Sequence, residues 1–151
     1  MYNTDYTKSR KEEIRFENYL KTRKGVITEN SSDKGCFNSW DISITSTTKN
    51  DLVTTYEVKY NSNYSNNTIA FEIHHLINDV KVNSGLSATA ADYYILTLEN
   101  DPNFYMIETE KLRELCRTTH PQKFLHYDKN NYLLAVFNKD YIIKHFTVII
   151  P

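Results

Sequence analysis

Asp41, Glu57 and Lys59 place two carboxylates and an ammonium at a D…E-x-K spacing, and each falls in a segment patterned as a β-strand. The predicted strands span residues 36–44 and 52–60. Alternate side chains of a strand share a face, so Glu57 and Lys59 stand together while Tyr56, Val58 and Tyr60 point away. In the upstream strand Trp40, Ile42 and Ile44 share one face, and Asp41 lies opposite with Ser39 and Ser43. The polar run Thr47-Thr48-Lys49-Asn50-Asp51 between the strands reads as a hairpin connection that lays them side by side. Asp41 then meets Glu57. Like charges raise each other's pKa and cost free energy unless a cation lies between them. A hard divalent ion such as Mg2+ or Mn2+ meets that need, because it binds through one or two carboxylates and keeps positions for water and a phosphate oxygen. A lysine beside such an ion can orient or deprotonate the attacking water and offset charge building on phosphorus.

The acid-x-Lys triplet alone is common, and Asp79-Val80-Lys81 repeats it. Its neighbours Asn78, Asn83, Ser84 and Gly85 form turns, so that copy reads as a loop tip with solvated charges. A helix is expected ahead of the strands, with Ser9 as N-cap, Glu12 three residues later, and Ile14, Phe16, Tyr19 and Leu20 recurring at helical spacing up to Gly25. Within it Glu17 either pairs with Lys21 at i, i+4 or joins the metal site.

The succession of a helix with an internal glutamate, a strand with Asp41, a strand with Glu57-Val58-Lys59, then helix and strand resembles the PD-(D/E)XK nuclease superfamily, whose fold is the restriction-endonuclease-like αβββαβ core. The run Asn67-Thr68-Ile69-Ala70-Phe71-Glu72 after Lys59-Tyr60 is similar to a segment of the small phage-type nucleases of that superfamily. So are Ser84-Gly85-Leu86-Ser87-Ala88-Thr89-Ala90-Ala91-Asp92-Tyr93 and Thr109-Glu110-Lys111-Leu112-Arg113. The likeness covers residues 9–117. Trp40 stands where the superfamily name has proline, and Asn66-Asn67 where a Gly-Asn pair is usual. The resemblance implies that Asp41 and Glu57 bind the metal, that Lys59 serves the water, and that Glu17 is an auxiliary ligand or orienting group. It places Glu72 beside the site or on a second ion, whereas strand alternation with Ile69, Phe71 and Ile73 reads Glu72 as an exposed residue. A phage origin is implied by the likeness alone.

Further along, Ser87 to Ala91 suits a short helix close to a sheet, and Tyr93-Tyr94-Ile95-Leu96-Thr97-Leu98 is an apolar run expected as a central strand. A strand over residues 104–107 and a helix from Thr109 follow, with Glu110 near its start and Arg113 and Arg117 toward its end, in the order the helix dipole favours. Residues 124–127 and 132–137 flank an Asp128-Lys129-Asn130-Asn131 turn and read as a hairpin. Residues 138–146 fit either a helix or a strand.

At 151 residues with no Gly/Pro/Ser-rich linker, residues 1–151 read as one α/β domain, a central mixed β-sheet flanked by helices on both faces with C-terminal additions. The polar N-terminus and the lack of a long apolar run point to a cytoplasmic protein with no membrane partner, in the host cell if phage-encoded. Cys36 and Cys116 are far apart and read as buried thiols, and His74, His75, His120 and His126 lack zinc spacing. A formal charge of −1 speaks against nucleic acid, yet Lys8, Arg10, Lys11, Arg15, Lys21, Arg23 and Lys24 gather in the first helix, and Lys111, Arg113, Arg117 and Lys123 form a second group. The expectation is a Mg2+-dependent DNA endonuclease hydrolysing phosphodiester bonds, with branched DNA as one substrate. A Holliday-junction resolvase of that kind would want a homodimer. The alternative is a non-catalytic nucleic-acid-binding or counter-defence interaction module on the same fold.

Overall fold

The structure, a computed structural model, describes residues 2–31, 40–62 and 67–151, the first four by backbone alone. In chain order the elements are α1 (Tyr2–Lys21), β1 (Val26–Asn30), β2 (Ile42–Ser46), β3 (Val53–Asn61), β4 (Thr68–Ile77), β5 (Val80–Asn83), a single 3-10 turn (Gly85–Ser87), β6 (Tyr93–Leu98), β7 (Phe104–Glu108), α2 (Thr109–Arg117), β8 (Lys123–Tyr127), β9 (Tyr132–Asn138), α3 (Lys139–Ile143) and β10 (Thr147–Ile149). Six strands in the order β1-β2-β3-β6-β7-β10 make a mixed sheet, and β5-β4-β9-β8 make a second, antiparallel one. In the larger sheet β3 and β6 run parallel, and the other neighbours are antiparallel.

The period-2 alternation sorts the residues of the large sheet between two cores. On one face Phe16 and Leu20 of α1 pack against Ile42, Ile44, Tyr56, Val58, Ile95 and Phe104. Phe16 is fully buried and meets the rings of Tyr56 and Phe104 edge-on, at 5.4 and 5.0 Å between centroids. Burying such a side chain is worth about 2–3 kcal/mol. On the other face Tyr94, Leu96, Leu98 and Ile107 meet Ile69, Phe71 and Phe137 of the second sheet, joined by Leu112 of α2 and Ile142 of α3. Strand β6 is therefore covered on both sides, which is why its sequence is a nearly unbroken apolar run.

A mixed α/β fold with a central mixed sheet matches the sequence expectation, and so do the hairpins β2–β3 and β8–β9. Helices lie on both faces as expected, but a second sheet, not expected, shares one of them. One face carries α1; the other carries the second sheet together with α2 and α3. Among the described residues no α-helix lies between β3 and β6, where the order αβββαβ requires one; the β4–β5 hairpin fills that stretch. The helix expected from Ser87 to Ala91 shrinks to the 3-10 turn because small hydroxyl residues bind backbone locally and compete with helix formation. Ser87 Oγ donates to the Ser84 carbonyl at 3.0 Å and accepts from the Ser84 N–H at 3.1 Å, and the Ala91 N–H donates to Thr89 Oγ1 at 3.2 Å.

Other boundaries shift for local reasons. No Gly or Pro interrupts residues 2–21, so α1 begins at Tyr2 and Ser9 lies inside it instead of capping it. The strand predicted over residues 36–44 begins at Ile42, and residues 36–39, with Cys36, lie outside the described residues. The undecided stretch 138–146 holds α3, whose start is fixed by Asn138 Oδ1 accepting the Tyr141 N–H at 3.2 Å. Asn78 and Asp79 adopt positive φ in the β4–β5 turn, which places the Asp79-Val80-Lys81 copy on an exposed hairpin. No helix among the described residues is long and apolar enough to cross a membrane.

Gly85 ties the small turn to β4. Its φ is +50°, and a Cβ there would lie 2.5 Å from the Glu72 carbonyl oxygen and 2.8 Å from the Glu72 Cβ. Backbone cannot give way as a flexible side chain can. Gly85→Ala is therefore expected to cost about 2–3 kcal/mol in urea denaturation. A loss below about 0.5 kcal/mol would show that the turn does not depend on this close approach.

Candidate functional site

Asp41 lies one residue ahead of β2 but is held by the ladder. Its N–H donates to the Tyr56 carbonyl at 3.0 Å, its own carbonyl accepts from the Ser31 N–H at 2.8 Å, and its Oδ2 accepts from the Val58 N–H at 2.8 Å. The β2–β3 register pairs Ile42 with Tyr56, so one step back Asp41 stands beside Glu57, on the face turned away from α1. Glu57 Oε1 is 2.6 Å from Lys59 Nζ, and Glu57 Oε2 accepts from Thr89 Oγ1 at 3.2 Å. The structure thus brings Asp41, Glu57 and Lys59 together.

The electrostatics follow from crowding. Burial, then the Glu57 charge, push the Asp41 carboxyl up to about 6, against the pull of Lys59 and the Val58 N–H. Burial draws the Lys59 ammonium down, but Glu57 and Asp41, with Glu72 behind them, outweigh it and hold it above its ordinary value. Lys59 is accordingly a fixed cation at neutral pH. In this arrangement it can neutralise and orient. Its side chain keeps 46 % of its exposure, so the charge borders solvent.

Glu72 sits at a bulge in β4, between Glu72 and His74, that breaks the strand's alternation, and it is half-buried against Gly85. Bulges re-aim side chains in this way. Its field reaches Lys59 and Tyr94, which places it near the trio without a hydrogen bond to it. Tyr94, directly across β6 from Glu57, is pushed well above the ordinary tyrosine value by burial and by Glu57.

Glu17 is engaged elsewhere. It accepts from Asn30 Nδ2 at 2.8 Å and pairs with Lys21 at 2.6 Å. Burial would raise it, yet Lys21, Asn30 and Arg10 hold it below the ordinary carboxylate value. The helix acid whose charge is felt at Asp41 is Glu13, one turn earlier and buried, with Arg10 spanning Glu13 and Asn30. Spacing alone does not separate the two glutamates, because both lie on the same helical stripe.

The sequence reading gives Thr89, Arg113 and Asp92 no place at the acidic site. Thr89 supplies the hydroxyl on Glu57, and Arg113 holds the loop bearing it. Arg113 Nε donates to the Leu86 carbonyl at 3.0 Å, and an Arg113 terminal nitrogen donates to the Thr89 carbonyl. Asp92 locks the neighbouring strand ends, its Oδ2 accepting from the Thr55 N–H at 2.9 Å and the Thr55 hydroxyl at 3.0 Å. The only hint in the chain is that Thr89, Asp92 and Arg113 all fall within segments that carry the family resemblance.

The basic groups are largely occupied within the fold. Arg15 binds Glu12 and the Pro102 carbonyl, and Lys8 pairs with Glu99. Arg117 pairs with Glu110, while Lys123 donates to the carbonyls of Cys116 and Thr118 at the end of α2. Cys116 is a buried free thiol pushed up to about 12.

The donor set fits a hard cation held loosely. Asp41 and Glu57 offer carboxylate oxygens, and no group of three or more His, Cys, Asp or Glu gathers among the described residues. Two carboxylates suit an ion that keeps most of its water, as Mg2+ does. Burial first, and the Glu57 charge second, keep the Asp41 carboxyl raised in spite of Lys59.

Between the ordinary value of 3.8 and about 6, the folded chain holds a proton on Asp41 that the unfolded chain has released. Stability therefore falls as pH rises through that window and stays lower above it. Asp41→Asn keeps an acceptor for the Val58 N–H and removes the charge. The expected gain in urea denaturation is about 1–2 kcal/mol at pH 8, after discounting for solvent access, and close to zero at pH 4. An equal effect at both pH values would rule out the cost of ionising Asp41, by burial and by the Glu57 charge, as the cause.

Comparison of the chain with protein-family models, with curated proteins and with solved structures finds no match.

Proposed function

We propose that the chain is a divalent-metal-dependent phosphodiesterase acting on DNA, built on a restriction-endonuclease-like arrangement of α1 with strands β1, β2, β3 and β6. The observation that carries this reading is the meeting of Asp41, Glu57 and Lys59 on one sheet face, with Asp41 raised to about 6. A structural role alone gives no reason to crowd two acids there, since removing one would relieve the strain. Asp41 and Glu57 would hold the ion, which when bound supplies Lewis-acid polarisation of a phosphate oxygen and a more acidic water. Lys59, as an ammonium, faces the same spot and offsets charge developing on the phosphate oxygens. Thr89 keeps the Glu57 carboxylate oriented, and Arg113 keeps Thr89 in place.

A second reading, a non-catalytic binding module on the same scaffold, is favoured by the closure of Glu57 onto Lys59 and by the engagement of Arg15, Arg117 and Lys123 inside the fold. Supercoiled plasmid and a four-way DNA junction, incubated with Mg2+ or Mn2+, separate the two. Cleavage that needs the metal and falls at least 100-fold in both Glu57→Gln and Lys59→Ala is the expected outcome. In parallel, Mn2+ should raise the melting temperature of the wild type at pH 8 but not that of Asp41→Asn. DNA binding without cutting in either metal would overturn the enzyme in favour of the module.

A further inference from the structure

The α1 face of the large sheet holds a groove of about 630 Å³ beyond the end of the helix. Its walls are the last turn of α1, the α1–β1 link, the β2–β3 turn and Ile149 of β10. Its charge is one-sided. Arg23, Lys24 and Lys49 line it, no aspartate or glutamate does, and none of the three is in an ion pair among the described residues. The cations come from two separate loops, so they converge on the groove instead of spreading along one exposed helix.

The floor is aromatic. Tyr56 and Tyr93 lie side by side at 5.8 Å between centroids and 26° between planes, and Tyr19 of α1 lines the wall beside them. Arg23 reaches the Tyr56 hydroxyl, and Ser46, Thr48 and Thr54 add hydroxyl groups to the lining. The partial negative charge at the end of α1 is already answered. The Tyr19 carbonyl accepts from the N–H and the hydroxyl of Thr22, and the Leu20 carbonyl accepts from the Arg23 N–H. What remains is a positively charged cavity with a π surface, of a size that ordinary small-molecule sites have.

We infer that this groove binds a planar aromatic anion of the size of a nucleoside monophosphate, the ring against Tyr93 and the anionic group among Arg23, Lys24 and Lys49. Stacking and cation–anion pairing each contribute, so neither half of the ligand alone suffices. The site is separate from the acidic one. Tyr56 and Glu57 are consecutive in β3 and face opposite sides of the sheet, so binding here does not depend on the phosphodiesterase reading.

Isothermal titration of the full chain with adenosine monophosphate, adenosine and inorganic phosphate tests this. The monophosphate should bind at least tenfold more tightly than adenosine or phosphate, and more weakly as salt rises. Lys24 and Lys49 are exposed, so Lys24→Gln/Lys49→Gln should fold and lose at least tenfold in affinity, whereas Glu57→Gln should leave binding unchanged. Absence of binding at millimolar monophosphate, phosphate binding as tightly as the nucleotide, or a loss caused by Glu57→Gln and not by the lysine pair would each overturn the inference.

Discussion

Two carboxylates on adjacent strands of a half-buried sheet face repel each other, and the surroundings of Asp41 and Glu57 are arranged around that repulsion. Lys59 answers one oxygen of Glu57, Thr89 the other, and the Val58 N–H answers Asp41. These contacts reduce the penalty without removing it: burial, and after it the Glu57 charge, still push Asp41 up to about 6. A protein that needed only stability would place an amide at one of the two positions. The neighbouring framework exists to keep the groups where they are. Arg113 reaches back from α2 to the Leu86–Thr89 loop, Asp92 fastens β6 to β3, and Gly85 lets that loop lie against Glu72.

The placement of Lys59 decides what chemistry the trio can perform. Three acids surround its ammonium, and their combined field outweighs the loss of water around it. Burial alone would lower the ammonium, and the neighbouring acids more than offset it. The group that is poised to exchange a proton near neutrality is Asp41 itself, whose value of about 6 lies closer to physiological pH than that of an ordinary aspartate. Any cation entering between Asp41 and Glu57 would return Asp41 to its ionised form, so occupancy and protonation exclude each other there.

What was legible in the sequence was local. The alternation of Tyr56, Val58 and Tyr60 against Glu57 and Lys59 depends only on neighbours in one strand, and the turn at residues 47–51 fixes which strand lies beside it. The rest depends on partners far away in the chain. The alternation of Ile69, Phe71 and Ile73 with Glu72 reads as a strand, but its placement in a second sheet follows from pairing with β9, some sixty residues later, which no local pattern specifies. Arg113 finds carbonyls 24 and 27 residues upstream. The short helix expected near Ser87 failed for a reason that was visible, hydroxyl groups competing for the backbone, and small size was read in its place. Glu17 and Glu13 share a helical stripe, so only the position of Asn30 on β1 determines which of them is drawn away from Asp41.

A formal charge of −1 conceals a segregation that the sheet enforces. Strand β3 carries both signs of chemistry at successive residues: Tyr56 lies under the groove bordered by Arg23, Lys24 and Lys49, and Glu57 belongs to the acidic face. The thickness of the sheet keeps the two groups of charges apart, although the helix acid Glu13 is still felt at Asp41. Pairing within the fold then removes many of the cations from the surface account, as Arg15, Lys21 and Arg117 illustrate. Arg23, Lys24 and Lys49 gather at the close of α1 and the β2–β3 turn, and Asp41 and Glu57 meet at the opposite end of the β2–β3 hairpin. For a chain so nearly neutral, it is this placement on opposite faces, and not the total, that determines which anions or cations are attracted and to which side.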